Sequence, residues 1–343
     1  MWRRILAIFI ARNREFYRDT AGLAWNILMP IMMVLGFAFI FHGEPADSLK
    51  VGVVTADGEL GGAPSPFLGL RHIRFVPLTD PAAGIAKVER HQLDLLLDLR
   101  AAPAYWVNIN SANGYIAERL LQASYGTPSG AADEAPQRRP VTGEALRYAD
   151  WVLPGILAMN VMFSSLWGVG WVVVRYRKNG VLRRLKATPL RPFEFLTAQV
   201  LSRLVVVLGA SLIVYVGAEA LLDFPMRGSY PALALVYTAG ALCMISLGLI
   251  VAARLRTEEL ADGILNLVSW PMLLLSGVWF SLDGASPAAQ AVSQLLPLTH
   301  LVEAARRIMI DGAGVLEVLP EVALLAGLAL ALLALAARLF RWE

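Results

Sequence analysis

The chain has 343 residues, of which 57% are hydrophobic and 17% are charged, and its mean hydropathy of +0.57 excludes an ordinary soluble globular protein. The net charge of +3 says little until it is placed along the chain, and the single cysteine, Cys243, excludes a disulfide framework and a thiolate metal cluster. We therefore expect an all-α polytopic membrane protein with one small α/β domain outside the membrane.

Residues 1–20 are predicted to form an amphipathic helix at the cytoplasmic membrane interface. Apolar residues and one asparagine recur there at helical spacing, while the arginines mostly fall elsewhere around the helix. The residues on this face are Trp2, Ile5, Leu6, Phe9, Asn13 and Phe16. A simple topology anchor is the alternative interpretation.

Six segments are predicted to cross the bilayer, because a hydrocarbon core about 30 Å thick requires roughly 20 apolar residues per helix. They cover residues 21–42, 153–174, 196–222, 231–253, 264–282 and 318–339. The positive residues concentrate before the first segment and after the second, which places both termini in the cytoplasm. Arg203 and Glu219 lie near the two ends of the third span, where we expect each to reach water.

Residues 43–150, between the first two spans, have an ordinary composition and predict an extracytoplasmic α/β domain. Four short apolar runs are typical of strands, and the stretches AAGIAKVERH and NGYIAERLLQAS are typical of helices. The small, polar and Pro-rich stretch 126–140 predicts a flexible connector. We interpret Asp94 and Asp98 as polar punctuation of a buried strand in preference to a catalytic carboxylate pair.

The loop 175–192 carries seven Lys or Arg residues in eighteen positions and no acidic residue. Charge alone indicates only the cytoplasmic side, and lipid headgroups would satisfy most of it. The apolar residues and the proline that follows them are not explained by charge. They predict a short helix over about 180–187 that presents Leu182 and Leu185 to a partner and stops before Pro189.

Residues 284–312, before the last span, are too apolar for an exposed loop and are interrupted by Pro287 and Pro297. Two short helices that re-enter the outer leaflet fit this pattern, since backbone at membrane depth has to be satisfied internally. We expect Arg306 and Arg307 to pair with acidic residues of the same segment.

Uncharged polar residues lie deep in the second and fifth predicted spans, and Pro271 should kink the fifth. Such residues either hold helices together or line a translocation path at a dimer centre. The candidates for the path are Asn160, Ser164, Ser165, Asn266, Ser269 and Trp270. Because the chain has no GxxxxGKS/T, HExxH or GxSxG motif, we expect neither catalysis nor a cofactor bound by the chain itself.

Three stretches resemble one known family. They are LPGILAMNVMFSSLWGVG in the second span, NGVLRRLKATPLRPFEFLTAQ after it, and LSGVWFSLDGASPAAQAVSQLLPLTHLVEAARRIMIDG around the predicted re-entrant helices. They are similar to the permease subunit of the type-2 ABC export family, in the subgroup with a large extracytoplasmic domain after the first span. One departure is Lys178-Asn179, where many members carry an acidic residue, so a salt bridge from that position to an ATPase is not expected.

The resemblance implies an ATP-driven exporter in a bacterial inner membrane, made of two permease subunits, identical or paralogous, and of cytoplasmic ATPase subunits that bind ATP and Mg²⁺. It implies a drug-like or amphiphilic substrate, contacts with membrane lipids, an optional periplasmic adaptor and no nucleic acid. It assigns coupling to the ATPase to Gly180, Val181, Leu182, Arg183, Arg184, Leu185, Thr188 and Pro189.

Three alternatives stay open. The first is an exporter of lipid or polysaccharide, which the same spans would suit. The second is a membrane-anchored sensor or scaffold whose outer domain binds a ligand, although no cytoplasmic output domain is evident. The third is an ion-coupled carrier, which the lack of mid-membrane acidic residues and of an evident inverted repeat disfavours.

Overall fold

The computed structural model describes residues 1–40, 49–55, 65–70, 73–100, 103–125, 136–141, 148–222, 224, 226–282, 285–340 and 342. The α-helices of these residues are α1 (Trp2–Arg18), α2 (Thr20–Ile40), α3 (Pro81–Glu89), α4 (Ala112–Ser124), α5 (Tyr148–Ser165), α6 (Val172–Lys178), α7 (Val181–Lys186), α8 (Pro192–Leu222), α9 (Tyr230–Ala252), α10 (Glu258–Leu275), α11 (Pro287–Ser293), α12 (Pro297–Met309) and α13 (Leu319–Leu339). The strands are β1 (Leu49–Val54), β2 (Ile73–Leu78), β3 (Leu95–Asp98), β4 (Ala104–Asn108) and β5 (Gln137–Val141).

The chain divides into a helical unit, residues 1–40 and 148–343, and a smaller unit, residues 41–147. In the helical unit, α5, a π-helical segment (Leu166–Trp171) and α6 form one continuous helix of 31 residues. This helix contacts α2, α8, α9 and α12 and is 72% buried over its most apolar window, whereas α13 is 22% buried. The α5–α6 helix is therefore central, and α13 offers an apolar surface to its surroundings.

Four helices of the described residues are long and apolar enough to cross a membrane, and the α1–α2 pair, bent by 86°, would add a fifth. The four are the α5–α6 helix, α8, α9 and α13. The mainly helical membrane-protein fold is thus confirmed, while the count of six spans stays a prediction. The α1–α2 bend agrees with an N-terminal helix lying along an interface, and Trp2 and Leu6 on α1 are exposed.

The fifth predicted span, 264–282, differs from the structure. The helix α10 begins six residues earlier, at Glu258, and ends at Leu275. Thr257 caps its N-terminus, and Glu258 and Glu259 in the first turn suit the positive end of the helix dipole. These acidic residues, with Asp262, keep α10 out of the group of helices apolar enough to span alone. Residues 284–312 contain two short helices as expected, α11 and α12.

The smaller unit is the predicted α/β domain, built on a sheet of strand order β2-β1-β3-β4-β5 in which only the β3–β4 pair is antiparallel. Both faces of the sheet are covered. Leu95 and Leu97 pack on the face that includes α4, and Leu96 packs on the face that includes α3. This two-sided burial explains the uninterrupted leucine run of β3.

Part of the predicted connector, 126–135, lies outside the described residues. Gln137–Val141 form strand β5, which pairs with β4, so that part of the prediction is wrong.

Asp94 accepts a hydrogen bond from the Lys50 main-chain N–H at 2.6 Å, and burial raises the pKa of Asp94. Asp98 pairs instead with Arg100 at 2.9 Å. The two carboxylates therefore have separate structural partners.

Candidate coupling segment and buried polar cluster

The segment 175–192 folds as a compact elbow between two long helices. The helix α6 continues to Lys178, the chain turns at Gly180 with a φ of +70°, and α7 follows. Glycine suits this turn because a positive φ is strained for residues with a Cβ. The Thr188 hydroxyl donates to the Leu185 carbonyl at 2.6 Å, which closes the end of α7 before Pro189. The short helix predicted from the sequence is present.

The docking face expected on α7 is wrong at Leu182. We expected α7 to present both of its leucines to a partner, but Leu182 is 0% exposed and belongs to the same buried cluster as Val174 and Phe195. On a helix of only six residues, one face has to pack against the chain's own helices to hold it in place. The exposed residues are Arg183, Arg184, Lys186, Ala187, Thr188 and Pro189, and Val181 and Leu185 are half-buried.

The helix α1 binds the C-terminal end of this elbow. Arg4 donates to the Pro189 carbonyl and lies 3.6 Å from the Glu194 carboxylate. Glu194 in turn accepts a hydrogen bond from the Arg191 main-chain N–H at 2.9 Å. The start of α8 and the end of the elbow are thus bound to the first turns of α1.

Further along α1, Arg12 reaches the long α5–α6 helix. Its guanidinium donates to the Tyr176 hydroxyl at 3.2 Å and to the Gly168 carbonyl at 3.1 Å. Glu15 lies 2.9 Å from Arg12 and accepts a hydrogen bond from Tyr176. These contacts connect α1 to the π-helical segment and to α6. The helix α1 therefore contacts the helix before the elbow, the end of the elbow and the start of α8.

A buried arginine is the centre of the polar cluster, which we define as Arg12, Asn13, Asn26, Ser164, Ser202 and Arg203. Arg203 is 7% exposed, and its guanidinium donates to the Ser164 carbonyl at 2.6 Å and to the Ser164 hydroxyl at 3.0 Å. It also lies over the Phe16 ring at 5.6 Å. Among the described residues it has no carboxylate partner. The expectation that Arg203 reaches water is therefore wrong.

The π-helical segment explains how the chain accommodates this arginine. A π-bulge widens the helix by one residue and weakens the bonds of nearby carbonyls, which then accept from other groups. Arg203 and Arg12 supply donors to Ser164 and Gly168 at this point. A Cβ added at Gly168 would lie 1.9 Å from Nε of Arg203, so only glycine leaves room for the guanidinium. The sequence signal was GVG within an apolar span.

The predicted path residues fall into two groups. Asn160, Ser164, Ser165 and Ser269 are buried, whereas Asn266 is half-buried and Trp270 is exposed. Within the part of the chain that the structure describes, Nδ2 of Asn160 and Oγ of Ser165 make no hydrogen bond. Ser269 and Asn266 donate to carbonyls of their own helix, Asn266 and Asp262 respectively. Buried polar groups usually have a hydrogen-bond partner, so both atoms are open to a water molecule or to a group from outside the chain.

The structure does not bring the two predicted halves of the path to one level. Gly170 packs against the side chain of Leu265, the residue before Asn266. Asn266 is therefore near the level of Gly170 and roughly 15 Å along the helix axis from Asn160, at 1.5 Å per residue. Asn160 and Asn266 are therefore not in contact within one copy.

At the other end of α5, Arg306 of α12 makes a second set of main-chain contacts. It donates to the Trp151 carbonyl at 3.2 Å and to the Val278 carbonyl at 3.3 Å, and it lies 3.6 Å from the centre of the Trp151 ring. Arg307 pairs with Glu321, so the expected pairing of Arg307 within its own segment is wrong. No group of His, Cys, Asp or Glu side chains among the described residues is arranged to hold a metal ion.

A family model described as "ABC-2 family transporter protein" matches residues 21–338. The chain belongs to this family. Because the match covers both the helical and the α/β unit, this ABC-2 chain carries the family's arrangement over almost its full length. It carries the permease domain of this family and is a multi-pass membrane protein.

Several curated proteins are similar to this ABC-2 permease. The "Inner membrane transport permease YhhJ" of Escherichia coli is 28% identical over 172 residues, which cover 49% of this chain and 46% of that protein. The "Probable multidrug ABC transporter permease YbhS" of Escherichia coli is 22% identical over 91% of this chain and 89% of its own length. The "ABC transporter G family member 20" of Dictyostelium discoideum is 25% identical over 88% of this chain and 45% of its own length. The alignment thus spans less than half of YhhJ and most of YbhS.

Proposed function

We propose that the chain pairs with a second permease subunit to form the transmembrane path of an ATP-driven exporter. The path has six spans per subunit, both termini lie in the bacterial cytoplasm, and the α/β domain lies outside. Separate cytoplasmic ATPase subunits bind ATP and Mg²⁺ and act on the segment 175–192. The substrate is a drug-like or amphiphilic small molecule, in line with the description of YbhS as a probable multidrug permease. A periplasmic adaptor that meets the α/β domain belongs to the same proposal.

The geometry of the elbow carries this proposal. Its exposed face presents Arg183, Arg184, Thr188 and Pro189, while Leu182 anchors it and α1 binds its end. A segment that is exposed on one side and rigidly attached on the other transmits a push from a docked partner to the long helices. In this arrangement Leu182 positions α7, and the exposed residues with half-buried Leu185 contact the ATPase.

Reversing one charge on this face tests the coupling. We expect Arg184→Glu to lower ATPase copurification and substrate-stimulated ATP hydrolysis about tenfold, because a misplaced charge at a docked interface costs more than 1.4 kcal/mol. Arg14→Glu is the matched control, since Arg14 is an exposed arginine of α1 outside the elbow. Equal activity and assembly of the two variants, with equal thermal stability, would remove the coupling assignment.

Cysteine cross-linking tests the path at a dimer centre. A chain with Cys243→Ser, Asn160→Cys and Asn266→Cys should form an oxidised dimer through like positions, because a twofold axis along the membrane normal brings each position opposite its own counterpart at the same depth. The two positions lie at different levels, so they should not cross-link within one copy. The product is detected by its mass on a denaturing gel. Absence of a dimer band in the apo, ATP-bound and ADP-bound complexes would contradict a path lined by both positions.

A further inference from the structure

A basic cleft of about 370 Å³ opens where several helices end together. The helix α6 ends at Lys178, α9 ends at Ala252, and α13 ends at Leu339. The cleft is lined by Arg177, Lys178, Arg183, Arg256 and Trp342. Its volume lies in the range of small-molecule binding sites.

Two of the lining arginines are available to a ligand. Arg183 and Arg256 are exposed and make no ion pair or hydrogen bond with any residue that the structure describes. The other two cations are already engaged. Lys178 lies 3.4 Å from Glu258, and Arg177 donates to the Ala252 and Ala253 carbonyls at the end of α9. Arg177 and Arg256 are also close enough to repel each other, so an anion between them would relieve that repulsion.

The position of the cleft indicates the depth of its ligand. Long apolar helices of a membrane protein end at the level of the lipid headgroups. The Trp342 ring packs against Phe195 and Phe340, with ring centres 5.6 and 5.4 Å apart. Aromatic clusters beside helix ends are typical of the membrane interface, where one side of the ring is apolar and the other is wet. The cleft therefore lies at the depth of the phosphate and glycerol groups of the membrane lipids.

We propose that this cleft binds the phosphate of an anionic phospholipid headgroup. The guanidinium groups of Arg183 and Arg256 donate to the phosphate oxygens. A planar guanidinium suits this role because two of its N–H groups can bind two oxygens of one phosphate. Trp342 packs against the glycerol portion, and the acyl chains extend along the apolar surface of the neighbouring helices. The site lies on one edge of the elbow, because Arg183 belongs to α7. Lipid binding here does not require the ATPase, although Arg183 also belongs to the face proposed above to contact it.

Native mass spectrometry of the full chain in detergent tests the site with three probes: phosphatidylglycerol, phosphatidylcholine and inorganic phosphate. We expect the wild-type chain to retain phosphatidylglycerol, and R183Q/R256Q to bind it about tenfold more weakly, because two charge-assisted contacts are lost. R14Q/R254Q removes the same charge from exposed arginines that do not line the cleft and should leave the affinity unchanged. Thermal unfolding verifies that all variants are folded.

Four outcomes would overturn the lipid site. Equal retention of phosphatidylcholine would show that the cleft does not select for a net negative headgroup. An equal loss in R14Q/R254Q would reduce the effect to overall charge. Inorganic phosphate that binds as tightly as phosphatidylglycerol and displaces it would assign the cleft to a soluble phosphate compound. Unchanged lipid binding in R183Q/R256Q, together with loss of the ATPase subunit from the complex, would assign the cleft to protein docking.

Discussion

The two ends of α5 are held by arginines in the same way but in different surroundings. At one end, Arg306 is half-buried, binds two carbonyls and stacks on Trp151. At the other end, Arg203 is almost completely buried and binds Ser164 of a helix that widens into a π-turn. In both places a guanidinium binds a main-chain carbonyl of α5. An arginine suits this task because its planar donors reach two acceptors at once.

The difference lies in what each arginine costs and what it holds. A half-buried arginine on an aromatic ring keeps part of its solvation. A buried arginine without a carboxylate partner in the described part of the chain has a large desolvation penalty. Such a group persists where the surrounding structure requires it, here where α1, the π-turn and α8 meet. We therefore expect the Arg203 end to be the more sensitive of the two.

The largest effect is expected for a substitution at Gly168, beside Arg203. Gly168→Ala should lower the free energy of unfolding by about 2–4 kcal/mol, because the new methyl group displaces the buried guanidinium from its acceptors. Gly209→Ala is the control, since a Cβ at Gly209 of α8 meets nothing within 4 Å, and it should be neutral or stabilising by up to about 1 kcal/mol. Thermal unfolding in detergent measures both.

A companion variant separates the steric effect from general damage to the helix. Because the methyl group collides with Arg203, shortening that side chain in Gly168→Ala/Arg203→Met should recover part of the loss. If the double variant is less stable than the sum of the two single changes predicts, the clash is not the cause.

The Arg306 end should respond less. Arg306→Lys keeps the charge but loses the planar fork that reaches Trp151 and Val278, and we expect a loss of about 1–2 kcal/mol in unfolding free energy. Arg227→Lys is the control, because Arg227 is exposed and its side chain has no partner among the described residues. Equal stability of the two variants would show that the fork at α12 is not needed. A larger loss than at Gly168 would reverse the ranking of the two ends.

The smallest effect is expected at Ser164. Ser164→Ala removes a hydroxyl that accepts from Arg203 and donates to Asn26, and should cost about 1 kcal/mol. Ser211→Ala is matched to it, since Ser211 is also buried on a long helix but its hydroxyl has no hydrogen bond within the described residues. That change should be neutral. If both serines behave alike in thermal unfolding, the hydroxyl of the polar cluster contributes nothing.

The elbow illustrates how far sequence patterns reach. The apolar residues Val181, Leu182 and Leu185 and the Thr188-Pro189 stop predicted a short helix over 180–187, and α7 covers Val181–Lys186. The same pattern could not tell which apolar face points inward. Leu182 turned out to be buried in the chain's own core, because helical periodicity identifies a face but not the neighbour that covers it.

The sequence misplaced the start of α10 and missed strand β5 for different reasons. Hydropathy placed the fifth span by its apolar residues, whereas the helix begins at a capped acidic turn that a hydropathy window ignores. The strand β5 reads QRRPV, with polar and charged residues that hydrophobic patterning assigns to a loop. Its pairing with β4 depends on a neighbouring strand that is far from it in sequence, and edge strands commonly carry charges.

The sequence by itself determined the class of the protein, the apolar helices, the basic elbow and the small α/β unit, because each depends on local composition and spacing. Only the tertiary structure decided that Arg203 lies buried against Ser164, that Arg306 clamps the far end of α5, and that Arg183 and Arg256 face one cleft. The two arginine contacts join residues 39 and 155 positions apart, and Arg183 and Arg256 belong to different segments of the chain. Their energies depend on burial and on the direction of donors, which exist only after the helices have packed.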